Sequence, residues 1–213
     1  MSALFFCVVS KFIFKSSDFK YNNDTFYINI AKNIPVAAGM GGGSSDAATV
    51  LKLLNNNYSN PLSDKELSEA ALELGADVPY FLDPVPAIMT GIGEIAEPLE
   101  FAIPDLHILV LAPQFPVSAA EGYKLMLPEK ISPMCANLRL DILNALKNND
   151  PEKLGKLIFN DLQAGVFNKY PVLEMLSDEI KAHGALSVLM TGSGPTLFAL
   201  FAAGQFCFFV GYC

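Results

Sequence analysis

Apolar, β-favouring side chains alternate along Thr25-Phe26-Tyr27-Ile28-Asn29-Ile30, a period that predicts a strand ended by Pro35. Beyond a glycine-rich run the pattern changes. Ala47-Ala48-Thr49-Val50-Leu51-Lys52-Leu53-Leu54 favours a helix from about Ser44 to Asn56, stopped by Asn55-Asn56-Asn57 and Pro61. Ser63 with Glu66 three residues later forms a capping box and opens a second helix that ends at Gly75. Residues 87–99 read as a hairpin with Gly91 and Gly93 at its turn. Leu106 to Leu111 reads as a buried strand, and helices are expected over 117–126, 138–148, 151–158 and 171–183. A last pair of strands flanks Thr191-Gly192-Ser193-Gly194-Pro195, and residues 2–15 suit a short apolar helix. Pro98 and Pro104 bracket a short connection, so a domain boundary is placed there: residues 1–99 and 100–213.

Composition narrows the classes. The 213 residues are 52% hydrophobic and 17% charged, enough apolar surface for a substantial core and too little charge for disorder. The net charge is -8 and Arg139 is the only arginine, which argues against a nucleic-acid partner, since phosphate backbones demand clustered cations. Cys7, Cys135, Cys207 and Cys213 are scattered with no Cys-x-x-Cys pair, so neither a zinc site nor a disulfide scaffold is expected. The apolar run Ala3–Val9 lacks a basic lead and a cleavage pattern. The charge-free stretch from Thr196 to Cys213 reads as a buried strand followed by a tail, not as a membrane span. A cytoplasmic or plastid-type compartment is expected, with no targeting segment recognised.

Candidate chemistry concentrates in three places. The first is Ile34-Pro35-Val36-Ala37-Ala38-Gly39-Met40-Gly41-Gly42-Gly43-Ser44-Ser45-Asp46. Glycines let a backbone approach a ligand closely, and free N–H groups running into a helix start bind anions. No Gly-Lys-Ser/Thr follows, so this is not a P-loop, and no βαβ unit surrounds it as a dinucleotide fold requires. Ser44 and Ser45 carry hydroxyls suited to phosphate or magnesium, while Asp46 suits the helix N-terminus. A flexible glycine turn is the plain alternative.

The second is Asp77, a lone carboxylate before Val78-Pro79-Tyr80-Phe81-Leu82. Beside an apolar turn it needs a partner. It is either the N-cap of the short segment that follows or a carboxylate aimed at a substrate hydroxyl. The third is Thr191-Gly192-Ser193-Gly194-Pro195, which either closes a hairpin or turns N–H groups toward phosphate.

In this order the three stretches resemble the GHMP small-molecule kinases. The triple-glycine loop, Gly75-Ala76-Asp77-Val78-Pro79-Tyr80-Phe81-Leu82 and Met190-Thr191-Gly192-Ser193-Gly194-Pro195-Thr196 carry the likeness over roughly residues 26 to 201. Gly91-Ile92-Gly93-Glu94 and Asn160-Asp161-Leu162 fit as well. Within the family they resemble the members that phosphorylate a hydroxyl of cytidine diphosphate-linked methylerythritol, in non-mevalonate isoprenoid synthesis. Homoserine and mevalonate kinases, with a shorter glycine motif, are the alternatives, as is an ATP-binding remnant without catalysis. The resemblance implies an α+β, two-domain fold: an incomplete N-terminal domain and a ferredoxin-like C-terminal one. It implies ATP and Mg²⁺, with no metal ligand assigned. Asp77 takes the catalytic role. Lys32, Pro35, Gly39, Gly41, Gly42, Gly43, Ser44 and Ser45 take the nucleotide, and Ser118, Tyr123, Gly192, Ser193 and Gly194 the acceptor.

The chain also departs from the family. The Ala-Lys-Ile-Asn-like lysine strand and the Tyr-His pair are not matched. Lys11 in Ser10-Lys11-Phe12-Ile13 is read as a surface lysine, and residues 2–17 as the helix before the first strand. Ala119 stands where the family has a threonine, with Ser118 beside it as a replacement hydroxyl and Tyr123 as the face that stacks the cytosine.

Overall fold

The computed structural model describes residues 27–132 and 136–204. The expected helix over 2–15, Lys11, Thr25 and Phe26, all four cysteines and the tail from residue 205 lie outside them. The chain divides into two compact units, each described by itself: residues 27–33 with Gly41–Glu100, and Ile34–Met40 with the chain from Phe101.

In the first unit, α1 (Gly42–Asn57) starts two residues earlier than the sequence suggested. Its N-cap is Gly41 at φ 66°, left-handed backbone that glycine adopts without Cβ strain. Ala48, Val50, Leu51 and Leu54 of α1 bury one face against Leu62, Ala70, Ala71 and Val78. Asn55 is buried too, and its amide clasps the following loop, accepting from Leu62 N at 3.0 Å and donating to Leu62 O at 3.2 Å. α2 (Asp64–Leu74) carries the expected capping box: Ser63 Oγ accepts from Glu66 N, and Glu66 accepts from Ser63 N at 2.9 Å. Hydrogen bonds from the Ser63 hydroxyl, then from its N–H, hold the Glu66 carboxyl below its ordinary value. A 3-10 turn (Pro79–Leu82) follows, then the expected hairpin, β1 (Ala87–Thr90) antiparallel to β2 (Ile95–Pro98) with Thr90 opposite Ile95.

Residues 27–33 form no strand, against the alternation read in the sequence. Alternation makes a segment fit to pair, but extended backbone needs a ladder partner, and the described residues supply none.

The second unit is built on a three-stranded antiparallel sheet in the order β3-β5-β4: β3 (His107–Leu111), β4 (Ser187–Met190) and β5 (Leu197–Phe201). His107 pairs with Phe201, and Met190 with Leu197. On the central strand, Leu197, Ala199 and Phe201 share one face and join Val166, Phe167, Leu173 and Ile180 in a core. Those four come from α6 (Gln163–Lys169) and α7 (Pro171–Ala182). Leu200 points the other way, to Ala145 of α4 (Ala136–Lys147) and Leu154 of α5 (Pro151–Leu157). α3 (Ala119–Lys124) is a short helix after β3. The helix α6 has no counterpart in the sequence reading. β3 is a strand as expected but not a buried one, since Ile108 is 43% and Val110 55% exposed. Leu109 and Leu111 pack against the core, whereas Ile108, paired with Leu200, and Val110 fall on the other face of the sheet. Among the described residues no helix is long and apolar enough to cross a membrane.

Candidate functional site

The loop's second half belongs to the first unit. Because Gly41 is the N-cap, no side chain caps α1, and its first turn holds no acidic residue. The N–H groups of Gly42, Gly43 and Ser44 therefore have no intrahelical acceptor, while Ser45 N closes the first turn onto Gly41 O at 2.9 Å. A Cβ built on Gly43 would meet nothing within 4 Å, so the flank of the helix start is open at that residue. Uncapped amides at the positive end of a 16-residue helix suit phosphate oxygens. Gly41 also lies on Phe81 of the 3-10 turn, and a Cβ there would come 2.6 Å from the ring. That contact ties the helix start to the turn that follows Asp77.

Asp77 is exposed, and Val78, not Asp77, is the N-cap of the 3-10 turn. The capping alternative therefore falls, and an exposed carboxylate is satisfied by water where an apolar setting would have demanded a partner. Its Oδ1 would lie 3.0 Å from a Cβ on Gly93 in the β1–β2 turn, so the missing side chain there makes room for the carboxylate. Glu94 folds back within that turn and accepts from Ile92 N at 2.6 Å.

Lys32 is ion-paired with Asp46. The aspartate stands beyond the first turn of α1 and has this lysine as partner, in place of the expected helix-dipole role. A cavity of about 530 Å³ in the same unit is lined by Asp64, Asp83 and Glu94 against Lys52, whose Nζ donates to Leu82 O at 2.7 Å. That charge balance is wrong for a triphosphate.

The loop's first half belongs to the second unit and docks on the Thr191–Pro195 turn. Thr191 Oγ1 donates to Gly39 O at 3.0 Å, and Thr196 N to Ala38 O at 3.3 Å. Gly39 (φ 74°) and Gly192 (φ 53°) lie so close that a Cβ on either would clash with backbone of the facing segment. The turn thus does more than close a hairpin, since it also holds the loop. Pro35 is exposed, just before this contact.

α3 reaches the same turn through Gly122, where a Cβ would come 2.9 Å from Ser193. Tyr123 is 64% exposed beside it. Ser118 is the N-cap of α3, its Oγ accepting from Glu121 N at 3.2 Å, which leaves its hydroxyl proton and one lone pair for another partner. Glu121 accepts from Lys169 and, at 2.7 Å, from the Tyr170 hydroxyl. These bonds, Lys169's first, hold the Glu121 carboxyl below its ordinary value, and Glu121 in turn raises both Lys169 and Tyr170.

Sequence reasoning missed the roles of Phe81, Gly122, Asn160 and Gln163. Gly122 carried a usable signal, because a glycine inside a helix is costly unless something packs against it. Gln163 carried none.

Two family models match: the GHMP kinases N terminal domain over residues 4–91 and the GHMP kinases C terminal over residues 142–206. The chain belongs to the GHMP kinase family. Its fold is the α+β arrangement of GHMP N- and C-terminal domains. Among similar proteins, the 4-diphosphocytidyl-2-C-methyl-D-erythritol kinase of Lachnoclostridium phytofermentans is 39% identical over 180 residues, 84% of this chain and 60% of that protein. The protein of the same name from Clostridium perfringens is 39% identical over 179 residues, 84% of this chain and 61% of its own. A crystal structure of 4-(cytidine 5'-diphospho)-2C-methyl-D-erythritol kinase superposes with a TM-score of 0.66 at 36% identity, covering 79% of this GHMP kinase chain and 59% of that one. The chain thus spans about three fifths of the length of these relatives.

Proposed function

We propose that this GHMP kinase chain transfers the γ-phosphoryl group of ATP to a hydroxyl of 4-diphosphocytidyl-2-C-methyl-D-erythritol, a step of isoprenoid synthesis. The observation that carries the reading is the glycine-capped start of α1, whose first amides have no side-chain cap, with Phe81 packed beneath Gly41. The names of the relatives at 39% identity support the acceptor. They favour it over homoserine or mevalonate.

The chemistry asked of the residues is modest, because phosphoryl transfer needs placement and charge stabilisation more than covalent help. The amides of Gly42, Gly43 and Ser44 hold phosphate oxygens, with the hydroxyls of Ser44 and Ser45 beside them. The acceptor hydroxyl attacks the γ-phosphorus in line, the bond to the β-γ bridging oxygen breaks, and ADP leaves. The hydroxyl proton passes to Asp77, which keeps its place against Gly93. The Thr191–Pro195 turn with α3 supplies the acceptor contacts, Tyr123 offering its ring and Ser118 its proton. Magnesium neutralises phosphate charge when bound. Among the described residues no cluster of three or more His, Cys, Asp or Glu could hold a metal, and the hydroxyls of Ser44 and Ser45 would be the groups of the loop to hold such an ion.

The test is turnover with ATP and the cytidylyl substrate, beside an ATP-binding isotherm. Asp77→Asn should lower kcat by about 10²–10⁴-fold while ATP affinity stays near wild type. Turnover unaffected by that change, or a chain that binds no ATP, would overturn the proposal.

A further inference from the structure

We infer that Asn160 and Gln163 are positioning residues that set the glycine loop through the Thr191–Pro195 turn. Neither touches the loop. Asn160 Nδ2 donates to two carbonyls of the turn, Met190 O at 2.6 Å and Gly192 O at 2.8 Å. Its Oδ1 is occupied by Leu162 N at 2.9 Å, which fixes which way the amide faces. Gln163 Oε1 accepts from Met190 N at 2.7 Å. Met190 is therefore held at both its N–H and its C=O by side chains from one short segment at the start of α6.

The residues so held, Met190 and Gly192, flank Thr191, which grips the loop together with Gly192. Thr191 donates to Gly39 O, and Gly192 lies against Gly39 with no room for a methyl group. The chain of contacts runs from Asn160 and Gln163 through Met190–Gly192 to Gly39, two residues before the N-cap of α1. A side-chain amide is suited to the task because it offers two donors and an acceptor in one plane. An aspartate at residue 160 would keep the acceptor for Leu162 N but turn a carboxylate oxygen toward two carbonyl oxygens, replacing two attractions with two repulsions. This inference rests on the ATP-loop reading for its effect on ligand binding, but not for its effect on the loop itself.

The experiment uses the full 213-residue chain. Three variants are compared with wild type: Asn160→Asp; Thr191→Val, which removes only the hydroxyl bond to Gly39 O; and Gln163→Glu, which retains the acceptor for Met190 N. Two quantities are read, amide hydrogen exchange of the 36–41 segment and the MgATP isotherm. Loss of these two hydrogen bonds should speed exchange there, and weaken MgATP, by about tenfold to a hundredfold in Asn160→Asp. Thr191→Val should shift both in the same direction by less, and Gln163→Glu should stay near wild type. A merely structural role would lower the melting temperature and raise exchange throughout the second unit, without singling out the loop. Exchange of residues 36–41 unchanged in both Asn160→Asp and Thr191→Val overturns the inference; should Asn160→Asp not fold, Thr191→Val alone decides it. If wild type binds no MgATP yet the loop exchange rises as expected, the positioning role stands and the kinase reading falls.

Discussion

Adding one methyl group at Gly39 tests the loop's docking directly. In Gly39→Ala the new Cβ would lie 2.3 Å from Thr191 O, 2.7 Å from Gly194 N and 2.8 Å from Gly194 O, all backbone atoms that no rotamer change can move aside. The residue also sits at φ 74°, in left-handed backbone. That conformation costs an L-residue about 1–2 kcal/mol, and forcing a carbon into a filled space about 1–3 more, so the variant should lose about 2–5 kcal/mol. Gly43→Ala is the internal control. Its Cβ meets nothing within 4 Å and its backbone is helical, so it should be neutral or gain up to about 1 kcal/mol. Urea unfolding followed by far-ultraviolet circular dichroism reads both. Gly39→Ala should lower the midpoint of the second unit's transition by about 1 M or more with an unchanged slope. Midpoints of the two variants that coincide would refute the close approach of loop and turn, and with it the argument that the turn holds the loop.

Two further outcomes follow from local geometry. Ser63→Ala breaks the capping box of α2, whose hydroxyl accepts from Glu66 N and donates to Glu66 at 2.7 Å. It should cost about 1 kcal/mol in urea unfolding, and a midpoint equal to wild type would contradict the cap. Glu121 links α3 to Lys169 and Tyr170, and its lowered carboxyl means that its contribution is present above pH about 4.5 and fades as pH falls through the depressed folded value. The raised Lys169 and Tyr170 give the opposite limb, present below about 10 and lost as pH climbs through their folded values. The melting-temperature difference between wild type and Glu121→Gln should therefore be widest between these limits and shrink toward either extreme, and a difference independent of pH would refute the linkage.

Much of this protein was legible in the order of its residues. The capping box at Ser63, the stop at Gly75, the hairpin with Gly91 and Gly93 in its turn, and most helix spans are set by neighbours a few residues apart, so local propensity decides them. The family likeness was legible for the same reason, because its loops are contiguous motifs. What the sequence left open depended on partners far along the chain. Whether Asp77 is a cap or a free carboxylate turned on Val78 taking the cap and on the space left by Gly93. Burial of β3 turned on which face of the sheet the helices cover, and pairing of residues 27–30 on a strand partner that the described residues lack. The pairing of Lys32 with Asp46, 14 residues on, was not legible in the sequence either. The grip of Thr191 on Gly39 spans 152 residues. Hydropathy and propensity record what each segment can do alone. Only packing decides which distant amide, carbonyl or carboxylate satisfies it, since a polar group accepts any geometrically suitable partner regardless of its separation in sequence.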